Sequence, residues 1–275
     1  MLYADEQTLL DRALLEHFAD LQPRDDMHHL HISDFVQCPK AIWYRRNGQP
    51  DQPISPARRI TMIRGLAIER EIREAIGKQR AAAGFAVHHA TSDLGELVGS
   101  LELDFDGNLS ALLAHGTPWP DAFRGAIGHM DLFAVHVRDR RIEVHEIKSM
   151  PFLGPAPKTT HVVQASGYEL IARAAHPDFD VQAFVTEVSA VTGQYVIHPI
   201  EPRSHEVLVL DRLHERMWTT ARGDDMPEAA IPEEQFAERG RKPHKVLVNL
   251  LCERYCGYRM CADNHVGEVD ELVDA

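Results

Sequence analysis

Four cysteines constrain this chain more than any other feature: Cys252, Cys256 and Cys261 crowd one end, and Cys38 stands near the other. The opening stretch, MLYADEQTLLDRALLEHFADL, is acidic where a secretory signal would be basic. No apolar run reaches the roughly 20 residues that cross a bilayer. The expectation is a cytoplasmic protein with no membrane partner, in which thiolates ligate metal rather than form disulfides. Structural zinc usually draws on two close cysteine pairs. One distant cysteine plus a Cys-x3-Cys-x4-Cys run suits a cubane 4Fe–4S cluster, with zinc and unligated buried thiols as the alternatives. Such a cluster ties the N-terminal and C-terminal segments together.

With 275 residues, 44% of them hydrophobic, the chain can bury a full core. The expectation is a single domain over 1–275, made of an N-terminal helical segment (1–57), a core (58–200) and a C-terminal cluster segment (201–275). Helical spacing of Leu9, Leu10, Ala13, Leu14, Phe18 and Leu21 predicts a helix over residues 3–21. A turn capped by Ser33 or Asp34 leads through Pro39 into a helix to about Arg46, followed by a Gly/Pro-rich link from Gly48 to Pro56. Ile60, Ile63, Ala67, Ile72 and Ile76 predict one buried face on a long helix from Arg58 to Ala83. Strands are predicted at Ala86–His89 and at Ser100–Phe105, the latter ending in the turn Asp106-Gly107-Asn108. The clearest strand pair is Arg124–Val137 with Ile142–Lys148. A helix over Lys158–Ala175 follows, then strands at Val181–Val188 and Gln194–Ile200. A last helix spans Ser204–Ala221, with Leu208, Leu213, Met217 and Trp218 inside. This order predicts an α/β fold around a small mixed sheet.

A net charge of −13 argues against a chain that coats nucleic acid nonspecifically, but not against a nuclease, whose carboxylates hold the cations that meet phosphate. Basic stretches remain at Arg58, Arg59 and Arg64, at Arg138, Arg140 and Arg141, and at Arg239, Arg241, Lys242 and Lys245. Each reads equally as a DNA face or as solvated surface. Four short patterns then occur in order: Gly65 with Glu69, Gly128-His129-Met130-Asp131, Glu146-Ile147-Lys148, and Gln164 with Tyr168. Asp131 and Glu146 fall on the two strands of the predicted pair and converge at one end of the sheet. Glu146 and Lys148, two apart, share a face. Glu69 shares a helix face with Gly65, whose missing side chain lets the helix approach the sheet, so Glu69 can complete a metal shell. Hard oxygen donors of this kind suit magnesium or manganese, and a lysine beside them can assist the attacking water and offset phosphorane charge. Gln164 and Tyr168 lie on one side of a helix, placed to bind a phosphate or brace Lys148.

This ordered set resembles the RecB-like branch of the PD-(D/E)XK nuclease superfamily, with its restriction-endonuclease-like mixed sheet flanked by helices. The resemblance implies Asp131, Glu146 and Lys148 as the catalytic core, the Ile147 carbonyl as a further metal ligand, and the Gln164/Tyr168 helix as a DNA-contacting element. The cysteine layout is similar to that of the iron–sulfur RecB-like exonucleases, the type of the fourth Cas family and of the AddB nuclease domain. Many of these carry histidine where Glu69 stands. The resemblance covers about residues 30–262. It implies Mg- or Mn-dependent exonuclease activity on single-stranded DNA or DNA with free ends, with partners in CRISPR adaptation, phage recombination or repair. The competing class is a DNA-end-binding or partner-docking module that keeps the fold without turnover.

Of the 17 histidines, His28, His29 and His31 read as a surface loop, and His129 and His145 as packing beside the site. His161 is placed to approach a DNA path. Trp43 and Tyr44 read as packing beside the cluster rather than as base-stacking groups.

Overall fold

The computed structural model describes residues 30–48, 56–89, 97–103, 109–115, 125–220, 236–239 and 246–249. The predicted helix over 3–21, the link after Gly48, the turn at Asp106–Asn108, His28, His29, and Cys252, Cys256 and Cys261 lie outside them. The chain divides into two units. One comprises Met1–Val36 with Ser55–Met217, and the other Gln37–Ile54 with Trp218–Ala275. No helix among the described residues is long and apolar enough to cross a membrane.

In the smaller unit, helix α1 (Pro39–Arg46) starts at the predicted proline. Its N-cap is Cys38, which is buried and makes no side-chain cap bond. Trp43 and Tyr44 meet edge to face at 5.5 Å. Two strands, β10 (Phe236–Arg239) and β11 (Val246–Asn249), pair antiparallel in the same unit.

The larger unit holds two sheets. Its five-stranded sheet takes the order β2 (Ala86–His89), β6 (Leu132–His136), β7 (Arg141–Met150), β8 (Asp180–Ser189), β9 (Tyr195–Ile200). It is mixed: β7 and β8 run parallel and the other pairs antiparallel. Helix α2 (Pro56–Ala82) covers one face, where Ile76 packs with Leu132, Ala134 and Ile147, joined by Ile72, Phe85 and Val87. Helix α3 (Thr159–Ala175) covers the other, where Val162 and Ala165 pack with Ala183, Val185 and Ile200. Helix α4 (Glu206–Thr220) follows β9 and buries Val209 and Leu213.

The second sheet has the order β1 (Leu30–His31), β5 (Gly125–His129), β3 (Leu97–Leu103), β4 (Leu109–His115). The single strand expected over 124–137 is therefore two, in different sheets, separated at Met130 and Asp131. An aspartate inside an apolar strand run is where pairing is weakest, and the chain changes sheets there. Helix α3 also packs on β3, β4 and the 3-10 turn Ile32–Val36, so it lies between the two sheets. That position explains its continuous burial: Ala165 through Ala172 are all buried, as befits a helix without a solvent face.

Two further expectations change. His31 is a buried strand residue rather than part of a surface loop; it stacks on His129 at 5.7 Å, and its N–H donates to Asp34 Oδ2 at 2.8 Å. Asp34 thus closes the 3-10 turn ahead of α1. On α2, Ile60 and Ala67 are exposed. Gly65 already lies opposite Ser149, near the end of β7, so the first turns of the helix project past the strand. The helix stops where Gly84 takes φ +90°, letting the Phe85 N–H reach the Arg80 carbonyl at 3.0 Å.

Close approach between the sheets and α3 requires glycine at 128. A Cβ there would lie 2.5 Å from Tyr168 Cε1 and 3.0 Å from Ile32 Cγ1, a ring and a branched side chain with no room to yield. We predict that Gly128→Ala destabilises the protein by about 1–3 kcal/mol, read as a lower denaturation midpoint with unchanged slope.

Candidate active site

The site is built on an overhang. Strand β6 pairs with β7 only from His136↔Arg141 to Leu132↔His145, so among the described residues no strand covers Glu146–Met150 on that edge. The edge-facing N–H groups of this stretch still need acceptors. Two carboxylates supply them: Ile147 N–H donates to Asp131 Oδ2, and Ser149 N–H to Glu69 Oε1, both at 2.8 Å. Asp131 reaches the edge because the chain leaves the sheet just before β6. Glu69 reaches it because Gly65, one turn earlier, lets α2 come in; a Cβ at 65 would lie 2.6 Å from Ser149 Oγ. A strand residue turns its N–H and its carbonyl to the same edge, so the Ile147 carbonyl faces the Asp131 side as well.

Alternation along β7 sends Ile147 toward α2 and Glu146 and Lys148 toward α3. Glu146 is fully buried, with the Lys148 ammonium against its Oε1. Its Oε2 is buried and has no hydrogen-bond partner among the described residues. Burial pushes the Glu146 carboxyl up to about 8, despite Lys148 and with the nearby charges of Asp131 and Glu69 adding to the rise. Burial also raises Glu69. Lys148 moves up too: burial opposes its charge, but Glu146, Asp131 and Glu69 together outweigh that effect. One ammonium therefore serves three carboxylates. Arg73, one turn after Glu69 on α2, adds a partial counter-charge 3.6 Å from Asp131.

Gln164 Nε2 donates to the Tyr168 hydroxyl at 2.9 Å. The Tyr168 ring is buried against Gly128, whereas Gln164 is partly exposed. Tyr168 thus holds the Gln164 amide, and Gln164 is the member of the pair open to a ligand. His145 is buried and bonds Glu143 at 3.4 Å, within a cluster that includes Arg80 and Arg141. It faces α2 and belongs to packing.

Two residues next to the site escaped the sequence reading. Arg73 had a signal in its i, i+4 spacing from Glu69. Glu187 had a clearer one, a lone carboxylate inside the apolar run AFVTEVSAV. It is fully buried on β8, in register with Lys148.

Among the described residues, no three His, Cys, Asp or Glu side chains are gathered closely enough to hold a metal ion. The Asp131 and Glu69 oxygens are engaged by backbone N–H groups, and Glu146 by Lys148. The donor chemistry still fits a hard divalent cation: a buried carboxylate oxygen without a partner, a second carboxylate at the same strand edge, and a carbonyl facing that edge.

No protein-family model and no curated protein sequence matches this chain. Among solved structures, the crystal structure of SSO0001 is similar, with TM-score 0.52 and 15% identity over 95% of this chain and 98% of that one. At this identity the likeness concerns the fold alone: a mixed α/β architecture with a mixed five-stranded sheet flanked by helices.

The Glu146 shift gives a sign for stability. Folding lifts this carboxyl from 4.5 to about 8, so the folded protein keeps a proton that the unfolded chain releases. The contribution is complete below pH 4.5 and is lost as pH rises through 8. In metal-free protein, Glu146→Gln should therefore raise the melting temperature by several degrees near pH 8 and hardly at all near pH 4.5, as scanning calorimetry at the two values would show.

Proposed function

We propose that this chain is a Mg- or Mn-dependent DNA exonuclease of the iron–sulfur RecB-like type, built on a restriction-endonuclease-like core and acting on single-stranded DNA or DNA ends. The observation that carries the reading is the β7 overhang, where Asp131, Glu146, the Ile147 carbonyl and Lys148 meet at one unpaired strand edge. Asp131, Glu146 and the Ile147 carbonyl would hold the cation, with Glu69 behind them on Ser149. When bound, that cation polarises the scissile phosphoryl group and lowers the pKa of the attacking water. Lys148, freed from part of its duty to Glu146, offsets charge on the phosphorane. Gln164, held by Tyr168, offers its amide to a phosphate or base of the strand. A role limited to binding DNA ends does not require carboxylates and lysine together at one edge.

Cys38, Cys252, Cys256 and Cys261 would hold a 4Fe–4S cluster. What supports this is the one-plus-three spacing and the buried position of Cys38. Partners follow from the activity: DNA with free ends, and proteins of CRISPR adaptation or recombination.

Two measurements test the reading. On end-labelled single-stranded DNA with manganese, the wild-type chain should release nucleotides from an end, and Asp131→Ala or Lys148→Ala should lower the rate by at least about 100-fold. Folded variants that digest at the wild-type rate would sink the assignment. Anaerobically purified protein should be brown, and Cys38→Ser should be paler and melt earlier; a colourless wild type containing zinc would replace the cluster with a zinc site.

A further inference from the structure

Beside Lys148, on the same face of the sheet, stands a second pair that the nuclease reading leaves unused. Glu187 Oε1 accepts the Lys158 N–H at 3.0 Å, at the entry to α3, and lies 2.7 Å from His161 Nδ1. An oxygen already accepting from a backbone N–H acts as acceptor toward the imidazole as well, so the shared proton sits on Nδ1. That arrangement fixes the tautomer and leaves Nε2 with its lone pair. Nε2 has no hydrogen-bond partner among the described residues. The His161 side chain keeps 15% of its surface exposed, while Glu187 is wholly enclosed.

Glu187 is enclosed at some cost, since its Oε2 is buried with no hydrogen-bond partner among the described residues. A buried carboxylate that serves only as a helix-entry acceptor is replaceable by a neutral group at lower cost. What the carboxylate adds is support for positive charge on the ring it holds. Burial lowers the pKa of the ring to about 4, with Glu187 opposing that shift and the nearby Lys148 and Lys158 ammoniums adding to it, so the resting imidazole is neutral and Nε2 carries a lone pair.

We infer that His161 Nε2 accepts the proton of the attacking water in phosphodiester hydrolysis, with Glu187 as its positioning residue. The inference rests on the nuclease reading and deepens it. As the water oxygen bonds to phosphorus, its O–H bond breaks and the proton passes to Nε2. The bond from phosphorus to the sugar oxygen of the departing strand breaks, and its electron pair leaves on that oxygen, which takes a proton from solvent. The imidazolium, held by Glu187, then returns its proton to solvent. Lys148 remains an ammonium throughout and stabilises charge on the phosphoryl oxygens.

The test has two arms on the full chain. In the first, 15N spectra of histidine-labelled protein without added metal identify the His161 signals by their loss in His161→Asn. The expected ring is the Nδ1–H tautomer, and an Nε2–H tautomer overturns the inference because that nitrogen could not accept a proton. In the second, manganese-dependent digestion of single-stranded DNA is compared between wild type and His161→Asn, whose amide still donates to Glu187 and preserves folding. The expected result is a fall in kcat of about 100-fold at unchanged KM. Turnover within about threefold of wild type, or a rise in KM alone, overturns it. Glu187→Ala should lose about 10–100-fold in kcat, and Glu187→Gln, which keeps the acceptor oxygen, should recover part of that loss. A wild-type chain that shows the Nδ1–H tautomer but digests no DNA with either metal would mean that the nuclease reading itself fails, and the assignment to His161 with it.

Discussion

Everything at the site depends on one mismatch in strand length: β7 continues for five residues after β6 has ended. A strand edge left in that condition exposes donors and acceptors that must be met by something. Here Asp131 and Glu69 meet two of the donors, and the nearby carbonyls are left to face outward. The same departure of the chain that shortens β6 also delivers Asp131 to the edge it uncovers. Fold and site are thus consequences of a single event, the passage from one sheet to the other at Met130 and Asp131.

The second organising fact is a shortage of positive charge. Three carboxylates of one region share Lys148, helped at a distance by Arg73. In an enclosed setting the least costly response is to retain a proton, and Glu146 does so. A divalent cation would relieve the same imbalance without protonation. The acidity of the chain as a whole, −13, is in keeping with a protein whose attraction for phosphate is local and cation-borne.

Much of this was legible in the residues. Glu146 and Lys148 stand two apart on a strand, and their placement on one face followed directly from that spacing. The proximity of Glu69 to the sheet followed from Gly65. What could not be read was any relation made across the sheets. Arg124–Val137 looks like one strand because both halves are apolar, and only Asp131 marks the break. Ile60 and Ala67 have helical spacing but lie beyond the strand they were expected to cover, and strand length is not written in a helix. His161 and Glu187 are 26 residues apart; each alone reads as incidental, and only the β7–α3–β8 connection brings them together. The three C-terminal cysteines retain the meaning their spacing gives them.

Helix α3 has a further consequence. Because it packs against both sheets, it joins the four-stranded sheet to one face of the five-stranded sheet, whose other face packs on α2. The four-stranded sheet, which contributes only the approach to Asp131, is nevertheless bound into the stability of Gln164, Tyr168 and His161 through Ile32 and Gly128 packed against the helix.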